Sequence, residues 1–134
     1  LGDGYFVAPT VFQVDSNQLS LCQEEVFGPV VSIQVFDDDD EALSLANDSR
    51  FGLVGYCWTN SLARAQAFQQ RVEAGTLWIN TPLARDLRAP FGGFKESGIG
   101  RDGPRQAADF FTEEKATIAA IGQPPIRKLG KTPD

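Results

Sequence analysis

The sequence predicts an α/β domain built on parallel strands. Three observations carry that prediction: short, β-branched apolar runs near residues 30–36, 52–59 and 76–80; two segments of helical apolar spacing between them; and polar or glycine stops at the junctions. Strand, helix, strand, helix, strand is the order that produces parallel strands joined by right-handed crossovers. Such a sheet needs both faces and both edges covered, and three short strands with two helices leave much of that covering to other segments.

V-V-S-I-Q-V-F, Val30 to Phe36, reads as a strand buried on two faces. It runs into Asp37, Asp38, Asp39, Asp40 and Glu41. Consecutive acids of this kind do not converge on one cation without a loop that folds them inward. The run is therefore read as the cap and charged first turn of a helix bearing Ala42, Leu43, Leu45 and Ala46, which stops near Asn47–Asp48–Ser49. Gly52 to Thr59 is the next strand. Asn60–Ser61 signals the start of a helix with Leu62, Ala65, Phe68 and Val72 on one face, closed by Gly75. Thr76 to Asn80 is the third strand, and Pro90 to Ser97, with its paired glycines, reads as loop. A helix opened by Pro104 carries Ala107, Ala108, Phe110 and Phe111 and hands over to a last strand, Ala116 to Ile121. That strand has no evident partner in the chain, so it is expected to pair with another segment or subunit.

Gly98, Gly100 and Gly103 fall in the G-x-G-x-x-G spacing of a dinucleotide-binding turn. The fingerprint works where a strand enters the turn, a helix leaves it, and an acid about 20 residues on meets the ribose. Here a loop enters, and the later position offers Ile121 to Pro124. The glycines are read as a loop leading into a helix.

Length and composition narrow the chemistry. A chain of 134 residues amounts to about one domain, which alone would bury somewhat under about 70% of its extended surface. A net charge of −6 argues against a nucleic-acid partner, and the absence of histidine removes imidazole metal sites and triads. No apolar stretch reaches membrane-spanning length, and L-G-D-G-Y has neither the basic nor the apolar region of a signal peptide, so a cytoplasmic setting with reduced thiols is expected. There is no methionine, which suggests that Leu1 begins a piece of something larger. The two cysteines are too few for a disulfide scaffold and too far apart for a C-x-x-C site. Cys57, between Tyr56 and Trp58 in a strand, reads as an inert core thiol; Cys22 precedes Glu24 and Glu25, whose charge opposes a thiolate. No catalytic residue is assigned.

Two stretches point to binding. In E-E-V-F-G-P-V, Glu24 to Val30, a carboxylate at a strand mouth can accept both hydrogen bonds of a vicinal diol. Along an extended chain an aromatic two residues on points the same way, so Glu25 and Phe27 could hold a ribose and its base, or serve as a capping acid and a core phenylalanine. In T-P-L-A-R-D-L-R-A, Thr81 to Ala89, two arginines in an apolar loop suit a carboxylate ligand through the guanidinium fork, with Arg85 the chosen partner. The alternative is that Asp86 simply pairs one of them.

Taken in order and spacing, E-E-V-F-G-P-V, N-D-S-R-F-G-L, A-G-T-L-W-I-N and P-F-G-G-F-K-E-S-G-I-G-R resemble the C-terminal part of the NAD(P)-dependent aldehyde dehydrogenase family. The likeness runs from Gly4 to Thr117. It implies a parallel-sheet catalytic-domain fragment over residues 1–111 and an oligomerisation strand and tail over 112–134, the latter explaining the partnerless strand. It implies NAD as cofactor, with NADP possible, an aldehyde substrate and a homo-oligomer. Glu25 would bind the nicotinamide ribose and Phe27 would pack near the nicotinamide. The loop after Asn80 would line the aldehyde tunnel, giving Leu83, Arg85 and Phe91 as substrate contacts. In that family a thiolate attacks the aldehyde, hydride passes to the nicotinamide and water releases the acid. The nucleophilic cysteine, the base and the main nucleotide-binding region that the resemblance implies fall before Leu1, so the isolated chain is expected to be inactive. The tunnel loop, with the tail Pro125 to Lys131, points to a carboxylated semialdehyde of aromatic catabolism. The competing reading is a non-catalytic α/β module that assembles through its last strand.

Overall fold

The computed structural model describes residues 2–123 and 130. The chain order is β1 (Thr10–Gln13), α1 (Ser20–Gln23), β2 (Val30–Ile33), α2 (Asp39–Asn47), β3 (Phe51–Gly52), β4 (Val54–Cys57), α3 (Leu62–Arg71), β5 (Thr76–Ile79), β6 (Phe94–Lys95) and α4 (Pro104–Phe111). The middle of the chain thus alternates as its apolar spacing predicts. β4 and β5 are parallel, Val54 opposite Thr76 and Cys57 opposite Ile79, with α3 as the crossover.

Pairing departs from the expectation elsewhere. β2 does not join β4; it lies parallel to β1, Thr10 opposite Val30. β3 and β6 form a two-residue antiparallel ladder. The described residues therefore hold three separate two-stranded sheets. β1 is only four residues long, too short for an alternation to show in T-V-F-Q. The predicted strand at Ala116–Ile121 is absent: residues 112–120 carry no regular structure and Ile118 is 97% exposed. A strand exists only as one side of a ladder, and no described segment pairs with this one.

The acidic run acts as a cap and a clasp. The Asp38 carboxylate accepts from the Glu41 N–H at 2.9 Å, and Glu41 accepts in return from the Asp37 N–H at 2.6 Å. These two bonds satisfy free donors at the start of α2 reciprocally. Asp39 pairs with Arg64 at 2.7 Å and Asp40 pairs with Arg71, which ties α2 to α3. Ser61 caps α3 by accepting from the Arg64 N–H at 3.3 Å.

Gly75 does not close α3, which ends at Arg71 with Val72 as its cap. Its role is close approach: a side chain there would overlap the Gly92 carbonyl. Lys95 fastens the same region. Its ammonium donates to the carbonyls of Asn47 at 2.7 Å and Ser49 at 3.0 Å and pairs with Glu73 at 2.8 Å, so all three protons are used. Asn47 completes the joint by donating to the Arg71 carbonyl and accepting from the Glu73 N–H. The glycine motif resolves as expected, since Gly103, at φ 156°, precedes α4 with Pro104 in its first turn.

The core is small. Val14, Leu43 and Phe68 are its buried apolar side chains among the described residues. The chain exposes 11794 Å², against roughly 6,900 Å² for a compact monomer of this mass. β2, expected to be covered on both faces, leaves Val31 and Ile33 open, as β1 leaves Val11 and Phe12. Apolar faces of that extent are built to be covered.

Candidate functional site

Two loops carry the predicted binding residues. The first leads from α1 into β2. Glu24 ends α1, its N–H donating to the Ser20 carbonyl at 2.9 Å, and every residue from Glu24 to Pro29 is exposed. Glu25 makes no ion pair among the described residues. Phe27 is 95% exposed and adopts φ 55°. Neither residue is thus a helix cap or a core side chain. The left-handed turn at Phe27 also removes the extended geometry by which the two side chains were expected to share a face. The chain bends here because Gly28 and Pro29 follow, with the Val30 N–H donating back to the Gly28 carbonyl at 2.8 Å. What the loop presents is a bare carboxylate, an acceptor for two hydroxyls, and an uncovered ring.

The second loop leaves β5. Asn80 begins it at φ 56°, its side chain accepting from the Thr59 N–H at 2.7 Å and donating to the Thr59 carbonyl at 2.8 Å. Trp78, stacked on Tyr56 with centroids 5.1 Å apart, donates its indole N–H to the Ala84 carbonyl at 2.6 Å. Leu83 is exposed at φ 54°. Asp86 and Arg88 form a fork, Nη2 to Oδ2 2.7 Å and Nε to Oδ1 2.9 Å, and the Arg88 N–H donates to the same carboxylate. The Arg88 guanidinium, then its N–H, holds the Asp86 carboxyl below the ordinary carboxylate range. Arg85 joins no ion pair among the described residues; its guanidinium carbon lies 5.2 Å above the Phe91 ring. Phe91 is anchored by paired backbone bonds to Asp102, at 2.8 and 2.7 Å.

Leu83, Arg85 and Phe91 are thus brought to one loop, while Glu25 and Phe27 stand on another with no hydrogen bond between the two among the described residues. The alternative reading of Asp86 holds for Arg88 and leaves Arg85 available. Sequence reasoning missed Trp78 and Asn80; a half-buried indole N–H needs an acceptor, which was the available signal. An open groove of about 870 Å³ between α2, α3 and β4 is lined by none of the predicted residues. No cluster of three metal-ligating side chains occurs among the described residues. Cys22 and Cys57 are half-buried free thiols. No described helix is long and apolar enough to cross a membrane.

The unit β4–α3–β5 carries an arginine over an aromatic ring on its exit loop, and a separate loop before β2 carries an exposed carboxylate, which defines an α/β protein with a βαβ unit. The chain belongs to the aldehyde dehydrogenase family, whose model matches residues 1–117. It is 45% identical over 121 residues to a betaine aldehyde dehydrogenase of Rhizobium etli, covering 90% of this chain and 25% of that protein. It is 42% identical over 113 residues to a 2-aminomuconic semialdehyde dehydrogenase of Danio rerio, covering 84% and 23%. Among solved structures, the P. syringae AldA indole-3-acetaldehyde dehydrogenase in complex with NAD+ and IAA superposes with a TM-score of 0.78 at 44% identity, covering 84% of this chain and 23% of that one. The chain spans about a quarter of the length of the curated relatives it matches.

Proposed function

We propose that this chain is the C-terminal part of an NAD(P)-dependent aldehyde dehydrogenase that oxidises a carboxylated semialdehyde to the acid. Support for the cofactor comes from family membership and from the NAD+ held by the P. syringae relative. When bound, that cofactor would supply the hydride acceptor, and Glu25 and Phe27 would be the residues of this chain that hold it. The residues present fit that group: Glu25, which makes no ion pair among the described residues, offers a carboxylate to two ribose hydroxyls, and Phe27 offers an exposed ring to a flat heterocycle. No proton or nucleophile is assigned to any residue of the chain. Its part is to position the cofactor and wall the substrate tunnel, residues 1–111 serving the catalytic domain and 112–134 the assembly of a cytoplasmic homo-oligomer.

The substrate class rests on one observation: Asp86 occupies Arg88 and leaves the Arg85 guanidinium on Phe91 without an acidic partner among the described residues. A guanidinium in that state suits a carboxylate, which it grips bidentately. Leu83 and Phe91 supply the apolar wall for the carbon chain. The stretch Asn80 to Gly93 looks most like 5-carboxymethyl-2-hydroxymuconate semialdehyde dehydrogenase, an enzyme of aromatic catabolism, and that semialdehyde is the proposed substrate. A semialdehyde dehydrogenase among the relatives supports the class. The tail that contributes to the likeness, Pro125 to Lys131, lies outside the described residues save Gly130. In the dehydrogenase that carries this segment, Arg85→Ala should raise KM for an acidic semialdehyde about ten- to hundredfold, the worth of a charge-assisted pair, and much less for a neutral aldehyde. Equal effects on both would remove the carboxylate assignment.

A further inference from the structure

We propose that Trp78 is a positioning residue that sets substrate choice by holding Arg85 in place, an inference that rests on the reading of Arg85 as the carboxylate partner. The indole N–H donates at 2.6 Å to the carbonyl of Ala84, the residue joined to Arg85 by one peptide bond. The ring that donates is itself fixed. Trp78 lies in β5 directly opposite Tyr56 of β4, the two rings stack at 5.1 Å with planes 13° apart, and Tyr56 stacks in turn on Trp58 at 5.9 Å.

The rest of the loop isolates this contact as the one that sets position 85. At the entry, Asn80 is locked to Thr59. Beyond position 85, Asp86 folds the chain back by accepting from the Arg88 N–H and side chain, and the Ala89 N–H donates to the Asp86 carbonyl at 3.0 Å. Between Asn80 and Asp86, the hydrogen bond that anchors the loop to the sheet among the described residues is that of the indole. An arginine loses much rotamer freedom on pairing with a ligand, so a loop fixed in advance makes that pairing stronger. The Phe91 ring holds the guanidinium from the other side, 5.2 Å away. Trp78 thereby acts on the substrate's far end, at a distance from any bond that changes.

Steady-state kinetics on the dehydrogenase that carries this segment test the idea, with 4-oxobutanoate and butanal as a carboxylated and a neutral probe of equal carbon number. Trp78→Phe deletes the donor and keeps an apolar ring. It should raise KM for 4-oxobutanoate about fivefold, the worth of one hydrogen bond, with kcat and the KM values for butanal and NAD+ unchanged. In an Arg85→Ala background the same change should do nothing further, because the residue it positions is gone. A Trp78→Phe effect equal on both aldehydes, one that persists in full beside Arg85→Ala, or no effect at all would overturn the proposal. Arg85→Ala by itself decides the underlying reading separately: selective loss of 4-oxobutanoate with an inert Trp78→Phe leaves that reading standing and removes only this inference. Should Trp78→Phe not fold, 3-benzothienylalanine at position 78 keeps the bicyclic shape without the N–H and is read in the same way.

Discussion

Glu25 and Asp86 are both exposed carboxylates, and their partners give them different roles. Asp86 is consumed by Arg88, while Glu25 stands open at the mouth of β2. In the proposed dehydrogenase that carries this segment, removing the open one by Glu25→Ala should raise KM for NAD+ about tenfold and leave KM for the aldehyde nearly unchanged, as initial-rate kinetics in the two substrates would show. For Asp86 the lowered value fixes the sign of a pH effect. The stabilisation from the Arg88 pair is present above the ordinary carboxylate range and is lost as pH falls through the lowered folded value. Carbon NMR of the Asp86 carboxyl should give a midpoint below that range, and Arg88→Gln, which removes the guanidinium and keeps the backbone N–H, should raise it toward that range. Gly75 sets a steric limit of another kind. Gly75→Ala would force the new methyl into the Gly92 carbonyl, so a loss of about 1–3 kcal/mol or more is expected in thermal unfolding.

Helices were read from the sequence more accurately than pairings, and the reason is physical. The caps Asp38 and Ser61 and the proline opening α4 are local signals, each acting within three or four residues. Ladder partners are set at long range, and the pairing of β1 with β2, the β3–β6 ladder and the loss of the 116–121 strand had no local signature. The site divides in the same way. Leu83, Arg85 and Phe91 were found together because they are close in sequence, whereas the shared face of Glu25 and Phe27 failed on one backbone angle that a Gly-Pro turn imposes. The Trp78 indole signalled that an acceptor was needed, but which backbone carbonyl would accept carries no mark in the sequence. Since the α2 cap is local, Asp38→Ala should cost about 1 kcal/mol in that helix alone, seen as faster amide exchange at Glu41 and Ala42 with α3 unchanged.

At the scale of the whole molecule, a core of few buried side chains and open faces on β1, β2 and α4 leave a large apolar surface uncovered among the described residues. Phe110 and Phe111, each 80% exposed and packed edge to face, end α4 just before the segment expected to pair elsewhere. The chain expressed alone should bind a hydrophobic dye such as ANS strongly and form no NADH from any aldehyde; aldehyde-dependent NADH formation would overturn the assignment of the nucleophile to sequence outside these residues. Lys95 shows how few fasteners hold such an open assembly. Acylating that single amine would abolish its charge and leave too few protons for its three acceptors, so the carbonyl ends beyond α2 and the chain entering β5 would come unfastened together. With its side chain only 23% exposed, it should be modified well after Lys115 when acetic anhydride labelling is followed by peptide mass mapping.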